Sequence, residues 1–532
     1  MNESTTAKTA RSTDPADALT GVLNVLRQSN PSLETKSYSY SVQNSLPPDW
    51  LIQSAPDDSS CQLLNTLQTQ LATVVQSAPD RPHFIDFTQM GNQKPEDPFQ
   101  AALIASFIAI ACSAQQPVII RYLEGNPAGT ANEQGMTFIN HLNELCTSAG
   151  LAASNVYFYA ASFAIPWTDV PISGLPGSWT HAKIFAIDGV TCIAGGQNYW
   201  VDYLPGQNPP HDVSMQLNGA SAAAGHNFAN VLWSYVASAR LYCQSLQLGT
   251  GQFSQMLPPM FDQRSFPPPA QPEATPVLAV GNLGMWIPGE LKTLLSEAVA
   301  AISNPSRQVS PKDTYPVIMS AFNVLLDFPF SQLDADWSKA TQASTTARHL
   351  LLQTVQQNGH LRISQQKIAD PDVVGRPVRD GRGGLPWPGQ FMQAIIAAMT
   401  DKNATVDIIV SFHEDGASSP VDGYSDDVGA ASLRGVIVDL LARALGGDMQ
   451  KAQSMAAQLL TVKATQRANH AKIWIVDDQI FFVGSDNIYP AYLQEFGYVV
   501  GSVQKTQEFI SNYWNPMWAI AVAPPTKNVR TP

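Results

Sequence analysis

Two stretches of this chain carry the same polar residues at the same spacing. HAKIFAIDGVTCIAGGQN begins at His181, and HAKIWIVDDQIFFVGSDN begins at His470. Aligned without gaps, they match His181 with His470, Lys183 with Lys472, Asp188 with Asp477, Gly195 with Gly484 and Asn198 with Asn487. One polar-faced hairpin is ordinary. Two copies with the same polar set point to a shared site.

The chemistry that suits two histidines, two lysines and two asparagines is displacement at a phosphodiester. A neutral histidine from one side attacks phosphorus, and a charged histidine from the other protonates the leaving oxygen. A covalent phosphohistidine then divides one hard displacement into two easier ones. An unperturbed imidazole pKa of about 6.5 makes both states reachable near neutral pH. The lysines and asparagines supply donors to the non-bridging oxygens, where charge gathers in the transition state. Each imidazole also needs an acceptor for its far nitrogen. Asp212, in HDVSMQLNG, and Glu495, in IYPAYLQEFGY, are the candidates, and which serves which histidine stays open. The mechanism needs no cofactor, and no residue cluster with metal-ligand spacing accompanies the motifs.

These residues need a frame. Alternation sets His181 and Lys183 on one face of a strand, with Asp188-Gly189 as the hairpin turn and Gly195, Gly196 and Asn198 closing the return. The repeat extends upstream. HFIDFTQ from His83 resembles HLRISQQ from His360, and an apolar helical run follows each, from Phe99 and from Gln390. Strands then begin at Pro117 and Thr405, helices at Met136 and Ala431, and further strands at Asn155 and Leu459. Strands alternating with helices predict an α/β fold with a largely parallel or mixed sheet, used twice. Helices are also expected from Asp14-Pro15 through Leu26, and onward from Cys61. The expected organisation is a disordered tail over 1–13, a first domain over 14–257, a Pro-rich linker over 258–276 and a second domain over 277–532.

The composition suits an ordered globular protein. Of 532 residues, 44% are apolar and 14% charged. A net charge of -13, from 30 basic and 43 acidic residues, disfavours a protein that lives on nucleic-acid phosphates. The five cysteines, Cys61, Cys112, Cys146, Cys192 and Cys243, show no C-x-x-C spacing and read as scattered buried thiols. The polar N-terminus has no signal-peptide core, and no apolar run is long enough for a membrane span.

The two H-x-K-x4-D motifs, each followed by G-G/S-x-N, resemble the phospholipase D superfamily. GSDNIYPAYLQEFGY, ISQQ at Ile363, HDVSMQLNG at His211 and LTGVLNVLRQSNPSLE near the N-terminus are similar to the secreted bacterial phospholipases D that also transphosphatidylate. The resemblance covers almost the whole chain. It implies two α-β-α-β-α domains with pseudo-twofold symmetry and one active site between them. It implies His181 as nucleophile, His470 as general acid/base, and Lys183, Lys472, Asn198 and Asn487 as phosphate-binding residues. Asp212 and Glu495 become the acidic partners of the histidines. Asp188 and Asp477 support the hairpin turns, and Gly195-Gly196 and Gly484-Ser485 match the family's small-residue pair. Trp179, Trp200, Tyr203, Trp387 and Tyr489 are candidates to line an acyl or headgroup pocket. Gly-rich loops from Arg376 and Glu414 are expected at the entrance.

The implied activity is hydrolysis of glycerophospholipids, with transfer of phosphatidyl to small alcohols. The implied partners are a membrane or micelle surface and an alcohol acceptor, with the chain a monomer. The same-chemistry alternative is a phosphodiesterase for a nucleic acid or small metabolite, and a catalytically dead binding protein is the third reading. Those relatives carry a secretion signal, this chain starts almost where their mature form does, and its thiols do not look like a disulfide-stapled exoenzyme, so the expected location is cytoplasmic or reached by a non-classical route.

Overall fold

The computed structural model describes residues 14–29, 31–91, 97–125, 134–166, 176–239, 241–271, 273–284, 342–366, 368, 389–412, 429–488 and 493–523. The expected tail, Trp387, Tyr489 and nearly all of both entrance loops lie outside them. In chain order the first half contains α1 (Pro15–Ser29), β1 (Tyr38–Ser41), β2 (Asn44–Ser45), β3 (Leu51–Ser54), α2 (Gln62–Ser77), β4 (His83–Met90), α3 (Pro98–Ser113), β5 (Val118–Gly125), α4 (Gln134–Ser148) and β6 (Val156–Pro166). It continues through β7 (Pro176–Trp179), β8 (Ile184–Ile187), β9 (Thr191–Gly195), β10 (Asp212–Gly219), α5 (Ala223–Ser238), β11 (Cys243–Gln247) and β12 (Phe253–Ser254). The second half contains β13 (Val277–Leu283), α6 (Ala343–Leu352), β14 (His360–Gln365), α7 (Gly389–Lys402), β15 (Thr405–Val410), α8 (Gly429–Ala444), α9 (Met449–Leu459), β16 (Leu460–Ala464), β17 (Lys472–Val476), β18 (Ile480–Gly484), β19 (Gln494–Gly501), α10 (Val503–Phe509) and α11 (Asn515–Ile520).

The two sheets repeat one strand order. The first runs β6-β5-β4-β8-β9-β10, and the second runs β16-β15-β14-β17-β18-β19. In each, three parallel strands are followed by three antiparallel ones. Helices carry the parallel crossovers, as parallel connections require. Alternation sorts the side chains into layers. Ile184 and Ala186 join Ile473 and Ile475 in a core between the two sheets. Phe185 and Ile187 face the helices of the first sheet, and Trp474 and Val476 face those of the second. The result is helices, sheet, shared apolar core, sheet, helices.

The chain crosses between layers near its start. Leu19, Val22 and Leu23 of α1 pack with Leu278, Ala347 and Val499 of the second sheet's layer. β1 extends that sheet by pairing with β13, Tyr38 opposite Val280. The segment over 258–276 contains no strand or helix among its described residues, yet Phe261 is buried against Phe84 and stacks on His226 at 4.1 Å.

Both hairpin turns need left-handed backbone at two positions. Asp188 and Gly189 have φ of 54° and 64°, and Asp477 and Asp478 have 50° and 57°. The aspartates then tie the turn to the sheet. Asp188 Oδ1 accepts from the Phe84 amide at 2.7 Å, and Asp477 Oδ1 accepts from the His360 amide at 2.9 Å. This makes Phe84, not His83, the counterpart of His360. The upstream repeat read from the sequence is therefore one residue out of register. The glutamine equivalent to Gln89 is Gln365, and Gln366 stands where the first half has Met90.

Candidate active site

Both motif histidines lie just before a strand rather than on it. β8 begins at Ile184 and β17 at Lys472. The backbone there pairs with the opposite half instead. The amides of His181 and Ala182 donate to the Gln494 carbonyl at 2.8 and 2.9 Å, and the His470 amide donates to the His211 carbonyl at 2.7 Å. These bonds clamp the two motifs against each other's acidic strands.

The consequence is a crossed pairing. His181 Nδ1 meets the Glu495 oxygens at 3.0 Å, and His470 Nδ1 meets Asp212 Oδ2 at 2.8 Å. Each imidazole is oriented by the carboxylate of the other half. All four side chains are buried. Lys183 Nζ donates to the His181 carbonyl at 2.6 Å, and Lys472 Nζ to the His470 carbonyl at 2.5 Å. Both ammoniums are thereby folded back toward their own histidine.

The two carboxylates are held differently. Tyr203, read from the sequence as a lining candidate, is buried behind the site. Its hydroxyl donates to Asp212 Oδ2 at 2.7 Å and lies 3.2 Å from His470 Nδ1. Gly196 allows that approach, because a Cβ there would come within 2.2 Å of Asp212 Oδ1. Gly195 abuts the Ser214 backbone, where a Cβ would come within 2.4 Å of Cα. In the second half Gly484 packs on Phe482 and Gly497. Its neighbour Ser485 donates its hydroxyl to Glu495 Oε2. The G-G and G-S pairs thus do different work around an aspartate and a longer glutamate.

Electrostatics separate the pairs further. Burial opposes the charge on Asp212, yet His470, Lys472 and Tyr203 outweigh it and hold the carboxyl below its ordinary value. Burial pushes Glu495 up to about 7, with Lys183 and Ser485 pulling against it. Burial, then Lys183 and Lys472, push His181 well below the ordinary imidazole value. Burial and Lys472 take His470 down to about 3, with Asp212 opposing. Burial also lowers Lys183 to about 8 and Lys472 to about 7.

The asparagines differ as well. Asn487 Oδ1 accepts from Gln365 Nε2 at 3.2 Å, and its Nδ2 donates to Gln366 Oε1 at 3.4 Å. Gln366 Oε1 also accepts from Lys472 at 3.3 Å. Beside it, buried Asp486 accepts from Asn282 and Ser344 at 2.7 Å, while Arg348 donates to its backbone carbonyl at 3.1 Å. In the first half, both amide atoms of Asn198 and of its neighbour Gln197 are buried without a partner among the described residues, as is Gln89 Oε1. A buried polar atom without a partner is costly unless a ligand completes it.

Trp179 and Trp200 are partly buried. Trp200 Nε1 donates to the Met90 carbonyl at 3.3 Å, and Trp179 Nε1 has no partner among the described residues. Sequence reading assigned no role to Gln365, Gln366, Arg348 or Asp486. ISQQ was a visible signal for the glutamines, but only the structure shows that Gln365 stands opposite Lys472 in the strand register while Gln366 accepts its hydrogen bond. All five cysteines are free, and all but Cys112 are buried. Among the described residues no helix is long and apolar enough to cross a membrane.

No family model matches the chain. Phospholipase D of Streptomyces antibioticus is 27% identical over 531 residues, an alignment that covers 96% of this chain and 88% of that protein. The crystal structure of phosphatidylserine synthase from Haemophilus influenzae Rd KW20 is 12% identical, with 94% of this chain and 92% of that one covered at a TM-score of 0.48. Nuc from Salmonella typhimurium, a phospholipase D family member, is 15% identical, with 33% and 88% covered at a TM-score of 0.21.

Proposed function

We propose that the chain is an enzyme of the phospholipase D superfamily, in line with its 27% identity to a phospholipase D over 96% of the chain, and that it cleaves glycerophospholipids such as phosphatidylcholine through a phosphohistidine on His181. The observation that carries this reading is the crossed pairing. Each Nδ1 is committed to a carboxylate from the opposite half, which turns Nε2 of each imidazole to the reaction.

The roles follow from charge. His181 is buried beside two ammoniums and a carboxyl whose own pKa is about 7, so the imidazole stays neutral and nucleophilic. His470 faces the carboxylate that stays ionised. An arriving phosphodiester anion offsets Lys183 and Lys472, and Asp212 then favours the imidazolium. His181 Nε2 attacks phosphorus, the bond to the headgroup oxygen breaks, and that oxygen takes the proton from His470. Water or an alcohol next attacks phosphorus, gives its proton to neutral His470 and releases His181. Lys183, Lys472, Asn198 and Asn487 stabilise the non-bridging oxygens throughout.

An intermediate between loss of headgroup and attack by the second nucleophile lets an alcohol compete with water. Phosphatidylcholine vesicles with ethanol should give phosphatidylethanol as well as phosphatidic acid. The ratio rises with alcohol while total choline release changes little, if formation of the intermediate limits the rate. Turnover of DNA or of a soluble diester, with no choline release, overturns the lipid reading. Phosphatidic acid alone across a wide alcohol range leaves a strict hydrolase.

A further inference from the structure

The strand registers place a polar row across the first sheet that the second sheet lacks. β4 and β8 pair Ile85 with Ile187 through Thr88 with Ile184, and Gln89 and Lys183 are the next residues beyond that pairing, where the second sheet pairs Gln365 with Lys472. Gln89 pairs with Glu124, and Glu124 with Ser162. The equivalent row in the second sheet is Lys472, Gln365, Val410 and Ala464. There the polar character stops at the glutamine. Phe87 and Tyr122, two residues away on β4 and β5, share one core cluster, so Gln89 and Glu124 share that face, and Lys183 lies just before β8 beside them.

Glu124 is buried, and both of its hydrogen bonds fall on one oxygen. Oε1 accepts from the Tyr122 hydroxyl at 2.8 Å and from Gln89 Nε2 at 3.3 Å, and among the described residues Oε2 takes none. Beside it, Gln89 Oε1 is buried with no partner among the described residues. The neighbouring Gly125 is packed against Thr180, the residue before His181, where a Cβ would lie 1.8 Å from the carbonyl oxygen. A carboxylate with an unused oxygen therefore stands two strands from the phosphate-binding lysine of the first half.

We propose that Glu124 is the docking point for the ammonium of a zwitterionic headgroup whose phosphate lies on Lys183, with Gln89 between them. Strands about 4.8 Å apart put Glu124 about 10 Å along the row from Lys183. Ion-pair contacts of about 3 to 4 Å at each end leave room for a two-carbon linker. Burial raises Glu124 to about 7, so the protein alone does not commit it to charge, and a bound cation does. The row selects a cationic headgroup over a neutral polyol. This assignment rests on the phospholipid reading above and names the headgroup class.

The test uses competition rather than lipid turnover, so its failure is separable from failure of the lipid reading. Phosphocholine, phosphoethanolamine and glycerol 3-phosphate are compared as inhibitors of bis(p-nitrophenyl) phosphate hydrolysis. In the unmodified protein both amine-bearing esters should bind at least about tenfold more tightly than glycerol 3-phosphate. Glu124→Gln, which keeps the shape, should erase that preference while moving the glycerol 3-phosphate constant less than about twofold. If a variant cannot turn over the diester, calorimetric titration gives the same constants, and Glu124→Asp replaces a variant that fails to fold. Equal affinity for all three esters in the unmodified protein overturns the proposal. So does a parallel loss for all three in the variant, which marks a structural role. If lipid turnover fails while the preference and its loss are observed, the phospholipid reading falls and the cation subsite stands.

Discussion

Two regions built on one strand order surround the site, and they hold their histidines in unlike ways. His470 faces Asp212, a short carboxylate held ionised and braced by Tyr203, with Gly196 pressed against it. His181 faces Glu495, a longer side chain pushed up to about 7 and braced by Ser485. Both imidazoles are pushed below their ordinary value, but one faces an ionised carboxylate and the other a half-neutral carboxyl. A repeat that supplies two equal histidines thus gives them unlike carboxyl partners, and in the proposed mechanism those surroundings set the acid apart from the nucleophile, as neighbouring groups set apart the roles of like residues at other sites.

The strongest way to break this comparison is to remove each histidine. His181→Ala should abolish adduct and turnover, a loss of at least about 10⁴-fold. His470→Ala should cost on the order of 10² to 10⁴-fold, with adduct accumulating when the leaving group needs no proton. Intact-mass spectrometry of substrate-treated protein reads both, and an adduct on His470 in His181→Ala reverses the roles.

A smaller effect compares the carboxylates. Asp212→Asn should cost on the order of 10³-fold in kcat, because it removes the fixed charge behind the imidazolium. Glu495→Gln should cost about tenfold, because it removes mainly orientation, worth about 1 to 2 kcal/mol. Equal losses in steady-state kinetics would make the two sides alike.

Smaller again are the braces. Tyr203→Phe and Ser485→Ala should each cost a few-fold, in line with about 1 kcal/mol for one hydrogen bond. Gly196→Ala should exceed both, because its Cβ would come within 2.2 Å of Asp212 Oδ1 and displace that carboxylate. Kinetics of the three variants side by side sharpen the contrast, and a harmless Gly196→Ala contradicts it.

The mildest effect is on stability against pH. Glu495 rises from an ordinary 4.5 to about 7 on folding, so its contribution is complete below the unfolded value and lost as pH rises through about 7. Asp212 is lowered, so its contribution is present above the unfolded value and lost as pH falls through the folded one. Glu495→Gln should flatten the fall of melting temperature between acid and neutral pH. Asp212→Asn should flatten the loss on the acid side. Thermal melts across pH check both, and unchanged slopes would remove the electrostatic distinction.

Much of this protein was written locally. The motif spacing, the hairpin turns at Asp188 and Asp477, and the order of strands and helices all depend on residues near each other in the chain, so periodicity and turn chemistry suffice to read them. Resemblance added the roles expected of His181 and His470. Other features could not be read that way. Pairing of His83 with His360 looked natural, yet the Asp188 and Asp477 hydrogen bonds fix the register one residue away, and a single step exchanges the faces of a strand. Tyr203 carried no mark that its hydroxyl would reach Asp212 rather than a ligand. α1 and β1 lie in the first half of the sequence but belong to the second sheet's layer.

The sequence by itself determined which groups exist: two histidines, two lysines, two asparagines and two acids, doubled by the repeat. Only the tertiary structure decided who faces whom. Glu495 meets His181 across 314 residues, and Asp212 meets His470 across 258. Those contacts arise because two sheets bury their apolar faces against each other, and that burial is indifferent to sequence distance. The same packing sets the burial and the neighbouring charges that make one carboxyl acidic and the other half-neutral. Neither property belongs to an aspartate or a glutamate alone.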